Sequence, residues 1–153
     1  MQPSARHGVT LLELLVVIAI ISLLASLLFS VLINAQRHAR KVTCVANQRQ
    51  IGLVILMMAD DNNDRMPPAS FWSTAELPEK LLVCPIDVLV PNGYVYNQAV
   101  IGKPLSEISH EDIIIADGDT PNHIATKPSD YVARHFNKAI ACYGDGHVEL
   151  FKP

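Results

Sequence analysis

An apolar segment near the N-terminus constrains this chain more than any other part of its sequence. Between Val9 and Ile33 the only charged residue is Glu13. About 20 consecutive apolar residues in a helix cross a bilayer core, so this segment is long enough to span a membrane. A carboxylate inside such a segment is costly and generally has a partner. Because Glu13 lies near one end of the segment, a position at the membrane surface is the simpler alternative.

The rest of the composition favours one retained membrane anchor followed by one small domain. The chain has 153 residues and a formal net charge of −3 at pH 7, which gives no electrostatic reason to expect a nucleic-acid partner. The apolar run is longer than that of a secretory signal, and no small-x-small cleavage site follows it. The three cysteines permit one disulfide if the C-terminal part is exported.

A single helix is predicted to continue well beyond the apolar segment. No proline occurs between Pro3 and Pro67, so the chain can remain helical from about Val9 to about Ala59. Small and apolar residues recur at helical spacing in the second half, which predicts an amphipathic stripe that packs on another surface. Around Ile51–Ala59 that surface is expected to be the chain's own C-terminal domain. The predicted stripe consists of Ala35, Ala39, Val42, Ala46, Leu53 and Met57.

The C-terminal part predicts a small antiparallel β-sheet. Apolar segments are separated by turn residues, and Asp145-Gly146 lies between the last two segments, as in a β-hairpin. Because four short strands cannot enclose a core, the sheet is expected to pack on the amphipathic half of the helix. The predicted fold class is therefore α+β. The predicted strands are Tyr94–Tyr96, Asp112–Ala116, Lys138–Tyr143 and His147–Phe151.

The sequence around Gly8 resembles the prepilin signal of the type IV pilin superfamily, which includes the pseudopilins of type II secretion. The match consists of Gly8, the following V-T-L-L-E and the long apolar run. The resemblance implies that a prepilin peptidase cuts after Gly8 and that Val9 is then N-methylated. Glu13 matches the glutamate at the fifth position of the processed chain. Its carboxylate is able to pair with the new amine of Val9, either in its own chain or in a neighbouring subunit, where it would set the stagger of a filament.

Later stretches are similar to a pseudopilin-like family with a C-terminal H-x9-DG motif, that of the prepilin-type processing-associated domain. The matching stretches begin at Cys44 (C-x-x-N-x-x-Q-x-G-L), Asp61 (D-N-x-x-x-x-P), Cys84 (C-P-x-D) and His135, which nine residues separate from Asp145-Gly146. Together the two resemblances imply a pilin-like fold. Its predicted divisions are a leader (1–8), a transmembrane and filament-core half-helix (9–33), an amphipathic half-helix (34–62) and a periplasmic β domain (63–153).

The role of the H-x9-DG motif has three alternatives. In the first, Asp145-Gly146 is only a hairpin turn and the His135 imidazole is hydrogen-bonded beside the sheet. The second is a calcium site, because related major pseudopilins hold calcium in a loop of this domain and carboxylates are hard oxygen ligands; its ligands would be Asp117, Asp119 and Asp145. The third is a zinc site made by His123, His135 and His147, although their spacing is not a recognised ligand spacing.

The cysteines suggest a link between helix and domain. Cys44 is predicted to lie on the helix and Cys84 in a loop, so a disulfide between them would tie the β domain to its helix, at about 2–4 kcal/mol of stability. Cys142 is predicted to be a small core residue of a strand.

Three classes of function remain for such a chain. The first is a pilin-like subunit of a periplasmic filament, in a type II secretion-like system, and the second is a membrane-anchored periplasmic binding domain that does not polymerise. An enzyme, for instance a Cys84/His135 hydrolase, is disfavoured because the sequence sets no nucleophile beside a base and an orienting carboxylate. The implied partners are other pilin-like subunits, identical or not, the prepilin peptidase, the inner-membrane assembly machinery and membrane lipid.

The topology expected from charge differs from the topology implied by the resemblance. Arg37, Arg40 and Lys41 follow the apolar segment, whereas Arg6 precedes it, and the positive-inside rule would keep the C-terminal domain in the cytoplasm. The prepilin resemblance implies a single-pass protein of the bacterial inner membrane with a cytoplasmic leader and a periplasmic domain. We favour the latter because the Gly-x-x-x-x-Glu start is the more specific signal.

Overall fold

The computed structural model describes residues 10–87 and 93–153. The chain divides into two compact units, residues 1–38 and residues 39–153, and one helix, α1 (Leu11–Asp61), contributes to both. The predicted long helix is confirmed, and its end lies two residues beyond Ala59. Asn63 and Asp64 follow it with φ angles of 55° and 57°, a left-handed conformation that Asn and Asp tolerate better than most residues.

The part of α1 in the N-terminal unit is exposed along its apolar residues. Leu11 is 81% exposed and Phe29 is 64% exposed. Among the described residues, this is the one helix that is long and apolar enough to cross a membrane, by length and composition.

The C-terminal unit contains a mixed sheet with the strand order β3-β1-β2-β4-β5. The neighbouring pairs β1–β2, β2–β4 and β4–β5 are antiparallel, whereas β3 runs parallel to β1. The α+β class and the hairpin around Asp145-Gly146 are confirmed; β3 is an addition that the sequence did not predict. The strands are β1 (Tyr94–Asn97), β2 (Ile113–Asp117), β3 (Ile124–Ala125), β4 (Ala139–Tyr143) and β5 (Val148–Phe151).

Short helical segments connect α1 to the sheet and the strands to one another. Two of them, α2 (Phe71–Thr74) and α3 (Glu79–Leu82), lie between α1 and β1. Phe71 is buried beside Tyr96 of β1, with ring centroids 5.8 Å apart. The described 3-10 turns are Gln98–Val100, Leu105–Glu107 and Pro128–Asp130.

Within the C-terminal unit, one face of α1 forms part of the hydrophobic core. Its buried positions follow helical spacing, which confirms that Ile51–Ala59 packs against the domain. The polar side chain of Gln48 is buried on the same face. The core residues of this face are Cys44, Ile51, Ile55 and Ala59.

The predicted stripe lies on the opposite face of α1. Val42, Leu53 and Met57 are 67%, 48% and 67% exposed, so the prediction that Leu53 and Met57 pack on the chain's own domain was wrong. At about 100° per residue, their positions lie roughly half a turn from Ile51 and Ile55. Both faces carry apolar residues at helical spacing, and periodicity alone does not decide which one the sheet covers.

α1 approaches the sheet closely at Gly52. A Cβ atom added there would collide with Sγ of Cys142 on β4, while Cβ of Cys142 would remain at 3.4 Å. A glycine inside a helix generally costs about 0.5–1 kcal/mol relative to alanine. This glycine is therefore explained by close packing between the helix and the sheet.

Candidate functional site

The N-terminal end of α1 is closed by Thr10 and Glu13. The backbone N–H of Thr10 and its hydroxyl both donate to Oε2 of Glu13 at 2.9 Å, and the N–H of Glu13 donates to the Thr10 hydroxyl at 3.3 Å. These reciprocal bonds form a capping box, the S/T-x-x-E arrangement at a helix start. The carboxylate of Glu13 thus has a partner within its own chain.

A second cluster of functional side chains lies inside the C-terminal unit. Four residues present ligand-type atoms that all lie within 4.8 Å of one another, and every one of these side chains is buried. We refer to them as the buried cluster: Cys44, Cys84, Asp117 and His135.

Four separate elements position the buried cluster. Cys44 lies on the buried face of α1, Cys84 follows α3, and Asp117 is the last residue of β2. His135 precedes β4 and is held by backbone hydrogen bonds to Lys138 at 2.9 and 3.1 Å. The two residues of that turn, Phe136 and Asn137, have φ angles of 54° and 61°, and this conformation is costly for a phenylalanine.

The short contacts within the buried cluster all involve a cysteine sulfur or Nε2 of His135. The sulfurs of Cys44 and Cys84 lie 3.1 Å apart, and Cys84 Sγ lies 3.8 Å from His135 Nε2. Asp117 Oδ2 lies 3.4 Å from the same Nε2, and its Oδ1 lies 3.7 Å from Cys44 Sγ. The hydroxyl of Tyr94 is 3.1 Å from Cys44 Sγ.

The carboxylate of Asp117 is fixed by two donors. Nε2 of Gln48 donates to Oδ1 at 2.9 Å, and the N–H of Ile140 donates to Oδ2 at 2.7 Å. Burial raises the pKa of Asp117 to about 6, against the hydrogen bond from Ile140 and the attraction of His135, which lower it. These donors orient the carboxylate towards the sulfurs and the imidazole.

The pKa values of the two thiols in the buried cluster are shifted in opposite directions. The hydrogen bond from the Cys44 thiol lowers the pKa of Cys84, and His135 lowers it further. The same hydrogen bond raises the pKa of Cys44, and burial adds to that rise. Cys84 is therefore the more readily ionised sulfur.

The arrangement differs from a catalytic triad. In a triad the carboxylate orients the imidazole through one ring nitrogen while the nucleophile meets the other. Here Cys84 and Asp117 both approach Nε2 of His135, and in the described part of the chain Nδ1 has no hydrogen-bond partner. With all four side chains buried, the geometry fits a closed site better than a site for substrate turnover.

Residues 3–29 match a protein-family model described as the prokaryotic N-terminal methylation motif. The chain carries a prepilin-type methylation motif. The match includes the predicted cleavage residues and Glu13, and so supports the first resemblance. Gly8 and Val9 themselves lie outside the described residues. Comparisons with curated proteins and with solved structures gave no match.

Beyond the methylation motif, the structure gives His135 and Asp145 of the H-x9-DG sequence separate surroundings. His135 belongs to the buried cluster, whereas Asp145 is exposed in the β4–β5 turn, where its Oδ1 accepts from the N–H of His147 at 2.9 Å. Gly146 has a φ of 83°, a value that suits glycine. The hairpin turn accounts for the presence of Asp145 and Gly146. Formation of the sheet alone does not account for a buried histidine at position 135.

The structure also separates the residues of the two metal sites considered from the sequence. Asp117 is buried with the two cysteines, while Asp119 and Asp145 lie outside the one group of at least three potential ligands found among the described residues. His147 stacks on Tyr143, with ring centroids 4.4 Å apart, and His123 lies beside Trp72, at 6.1 Å. Calcium at Asp117, Asp119 and Asp145 stays a prediction.

Cys44 and Cys84, the pair predicted to form a disulfide, are brought together as free thiols. Their sulfurs are 3.1 Å apart, beyond the bond length of about 2.05 Å, so the disulfide also stays a prediction. Cys142 is buried on β4, as predicted.

Sequence reasoning missed two features of these sites. Thr10 forms the capping box with Glu13, and the T-L-L-E sequence, an S/T-x-x-E pattern, would have indicated it. The joining of Asp117 and His135 to the cysteine pair has no comparable local signal, because the residues come from distant segments.

Proposed function

We propose that this protein is a pilin-like subunit that is cut after Gly8, methylated at Val9 and assembled into a periplasmic filament of a type II secretion-like system. Before assembly it is held in the bacterial inner membrane by residues 9–33, with the leader, residues 1–8, in the cytoplasm. The β domain, residues 63–153, lies in the periplasm and is joined to the anchor by the amphipathic half-helix, residues 34–62. Its role is structural, not catalytic.

The observation that carries this proposal is the methylation motif at residues 3–29, which continues into a helix whose apolar side chains are exposed. Apolar residues of this part of α1 are exposed, Leu11 at 81%. Such a surface needs lipid or protein around it. A subunit that is stored in the membrane and then packed among its copies uses the same surface in both states.

The exposed stripe of α1 supports assembly from a second direction. Val42, Leu53 and Met57 lie opposite the face that the sheet covers, and they follow the apolar segment along the same helix. In a filament this stripe extends the subunit contacts beyond the membrane-spanning half. A monomeric anchored domain has no comparable use for it.

Intact mass of the full chain, extracted from membranes of bacteria with and without a prepilin peptidase, tests the processing step. We expect loss of residues 1–8 and gain of one methyl group only where the peptidase is present. Gly8→Leu should block cleavage, because a side chain prevents the close approach of the protease to the backbone. Ala5→Leu, which changes the leader away from the scissile bond, serves as the matched control.

An uncut wild-type chain in the presence of an active peptidase would contradict the proposal and favour the non-polymerising anchored domain. Cleavage without filament formation in a host that has the assembly machinery would leave processing intact and overturn the filament role. Filaments are measured as subunits that sediment after shearing of the cells.

A further inference from the structure

We propose that the buried cluster is a structural zinc site, in which two thiolates, one imidazole and one carboxylate bind a single Zn²⁺ ion. The proposal concerns the fold of the C-terminal unit and does not depend on filament assembly. It assigns Asp117 and His135 to the same centre as the two cysteines.

The ligand set is typical of zinc. Zinc binds cysteine sulfur, histidine nitrogen and carboxylate oxygen, and its structural sites are four-coordinate and closed to solvent. Calcium and magnesium prefer oxygen ligands and would leave both sulfurs of the cluster without a role. Cys44, Cys84, Asp117 and His135 supply four ligands of the right type, all of them buried.

Two distances from His135 Nε2 fit a tetrahedral centre. With zinc bonds of about 2.0–2.3 Å, neighbouring ligand atoms of a tetrahedron lie about 3.3–3.8 Å apart. The separations of His135 Nε2 from Asp117 Oδ2 and from Cys84 Sγ are 3.4 and 3.8 Å. Cys44 Sγ lies 3.7 Å from the other carboxylate oxygen of Asp117, Oδ1, and the four ligand atoms all lie within 4.8 Å of one another.

The sulfur–sulfur distance is the one that must change. At 3.1 Å the sulfurs of Cys44 and Cys84 are closer than the separation of about 3.8 Å expected for two thiolates on one zinc ion. An increase of about 0.7 Å in the distance between the two sulfurs brings it to the separation expected for two ligands of one zinc ion.

Groups around the cluster hold its ligands in place, as metal sites require. Gln48 and the N–H of Ile140 fix the Asp117 carboxylate, and the Tyr94 hydroxyl lies beside Cys44 Sγ. The turn from His135 to Lys138 anchors the imidazole through two backbone hydrogen bonds.

Charge also favours a cation at this position. Two thiolates and a carboxylate without compensation would be very costly in a buried site. Arg134 is next to the cluster in sequence and its side chain is 4% exposed, but its Nη1 is engaged by the carbonyls of Gly93 and Gly118 at 2.6 and 3.1 Å. A divalent ion bound by all four ligands would offset two of these three negative charges at their common centre, and the nearby guanidinium of Arg134 also attracts the Asp117 carboxylate.

The bound ion would join α1 to the sheet. Its ligands come from α1, the loop after α3, the end of β2 and the loop before β4, so one ion fixes four segments of a small domain. Structural zinc contributes directly to folding free energy, which offsets the limited core of so short a sheet.

The test uses the full chain, purified in detergent without chelator or added reductant. We expect about one zinc ion per chain by plasma mass spectrometry. X-ray absorption at the zinc edge should count two sulfur neighbours at about 2.3 Å together with nitrogen and oxygen at about 2.0–2.2 Å. The absorption measurement needs no variant and is therefore independent of any folding defect.

Substitutions then assign the ligands. Cys84→Ser and His135→Gln should reduce bound zinc to background, whereas Cys142→Ala, which removes a buried thiol outside the cluster, should retain it. The proposal is overturned if wild-type chain dialysed against zinc binds none, if unreduced peptides contain a Cys44–Cys84 disulfide in place of zinc, or if bound zinc lacks two sulfur neighbours. Calcium in place of zinc would overturn it in favour of the carboxylate site.

Discussion

Glu13 has one partner in the isolated chain and another in the proposed filament. In the structure its carboxylate accepts from the N–H and hydroxyl of Thr10. In a filament it would meet the amine of Val9 on a neighbouring subunit. The two roles differ in what they demand of the side chain, since a cap requires an acceptor and an ion pair requires a charge.

Glu13→Gln and Thr10→Val separate the two roles. Glutamine preserves the capping box but removes the charge, so we expect filament assembly to fall at least about tenfold, equivalent to about 1.4 kcal/mol. Thr10→Val loses the cap, at about 0.5–2 kcal/mol of helix stability, but keeps the charge and should still assemble. Sedimentation of sheared filaments is the measurement. Assembly of Glu13→Gln at the wild-type level would show that the filament does not need the charge at position 13.

Some single residues were predictable from the sequence and others were not. The roles of Gly8 and Glu13 follow from one local pattern, so the sequence predicts them. Asp117 and His135 have no such pattern, because only folding brings them to Cys44. The carboxylate of Asp117 illustrates the same limit, since no local pattern in the sequence indicates that its Oδ1 lies 3.7 Å from Cys44 Sγ.

At the scale of elements, the contact between α1 and β4 depends on a missing side chain. Gly52→Ala would ordinarily stabilise a helix by about 0.5–1 kcal/mol. Here the added methyl group collides with Sγ of Cys142, and we expect a loss of about 1–3 kcal/mol. The measurement is denaturant unfolding of the full chain in detergent, followed by the fluorescence of Trp72, the only tryptophan. The indole N–H of Trp72 donates to the His123 carbonyl at 3.0 Å.

The double variant provides the control. In a Cys142→Ala background the obstructing sulfur is gone and only the Cβ contact at 3.4 Å remains, so Gly52→Ala should become neutral or stabilising. Equal destabilisation in both backgrounds would mean that the glycine is needed for another reason.

The secondary structure was predictable where strong local signals agree. The absence of proline and the turn residues after Ala59 predict α1, and Asp145-Gly146 predicts the hairpin of β4 and β5. The strand β3 has two residues and is defined only by its parallel pairing with β1, so no periodicity exists to find. The buried face of α1 was misjudged because apolar residues at helical spacing occur on both faces, and the buried one also includes Gln48 and Gly52 beside its isoleucines.

For the whole molecule, the central question is the side of the membrane on which the C-terminal unit lies. Cys44, Cys84 and Cys142 are fully buried, so the folded chain should react slowly with a membrane-impermeant maleimide. A cysteine at the exposed Ser106 then reports topology. In spheroplasts of a host without prepilin peptidase, Ser106→Cys should label before lysis, and Ser4→Cys in the leader only after it. The reverse pattern would mean that the positive charges after the apolar segment decide the orientation.

Burial of the cluster limits how fast its cysteines can exchange a metal ion or change their redox state. All four of its side chains are sealed from solvent, so ions, oxidants and reductants reach the sulfurs only while the domain is open. The state of the cysteine pair therefore changes only as fast as the domain opens. A metal ion or a disulfide acquired while the chain folds would therefore exchange slowly afterwards.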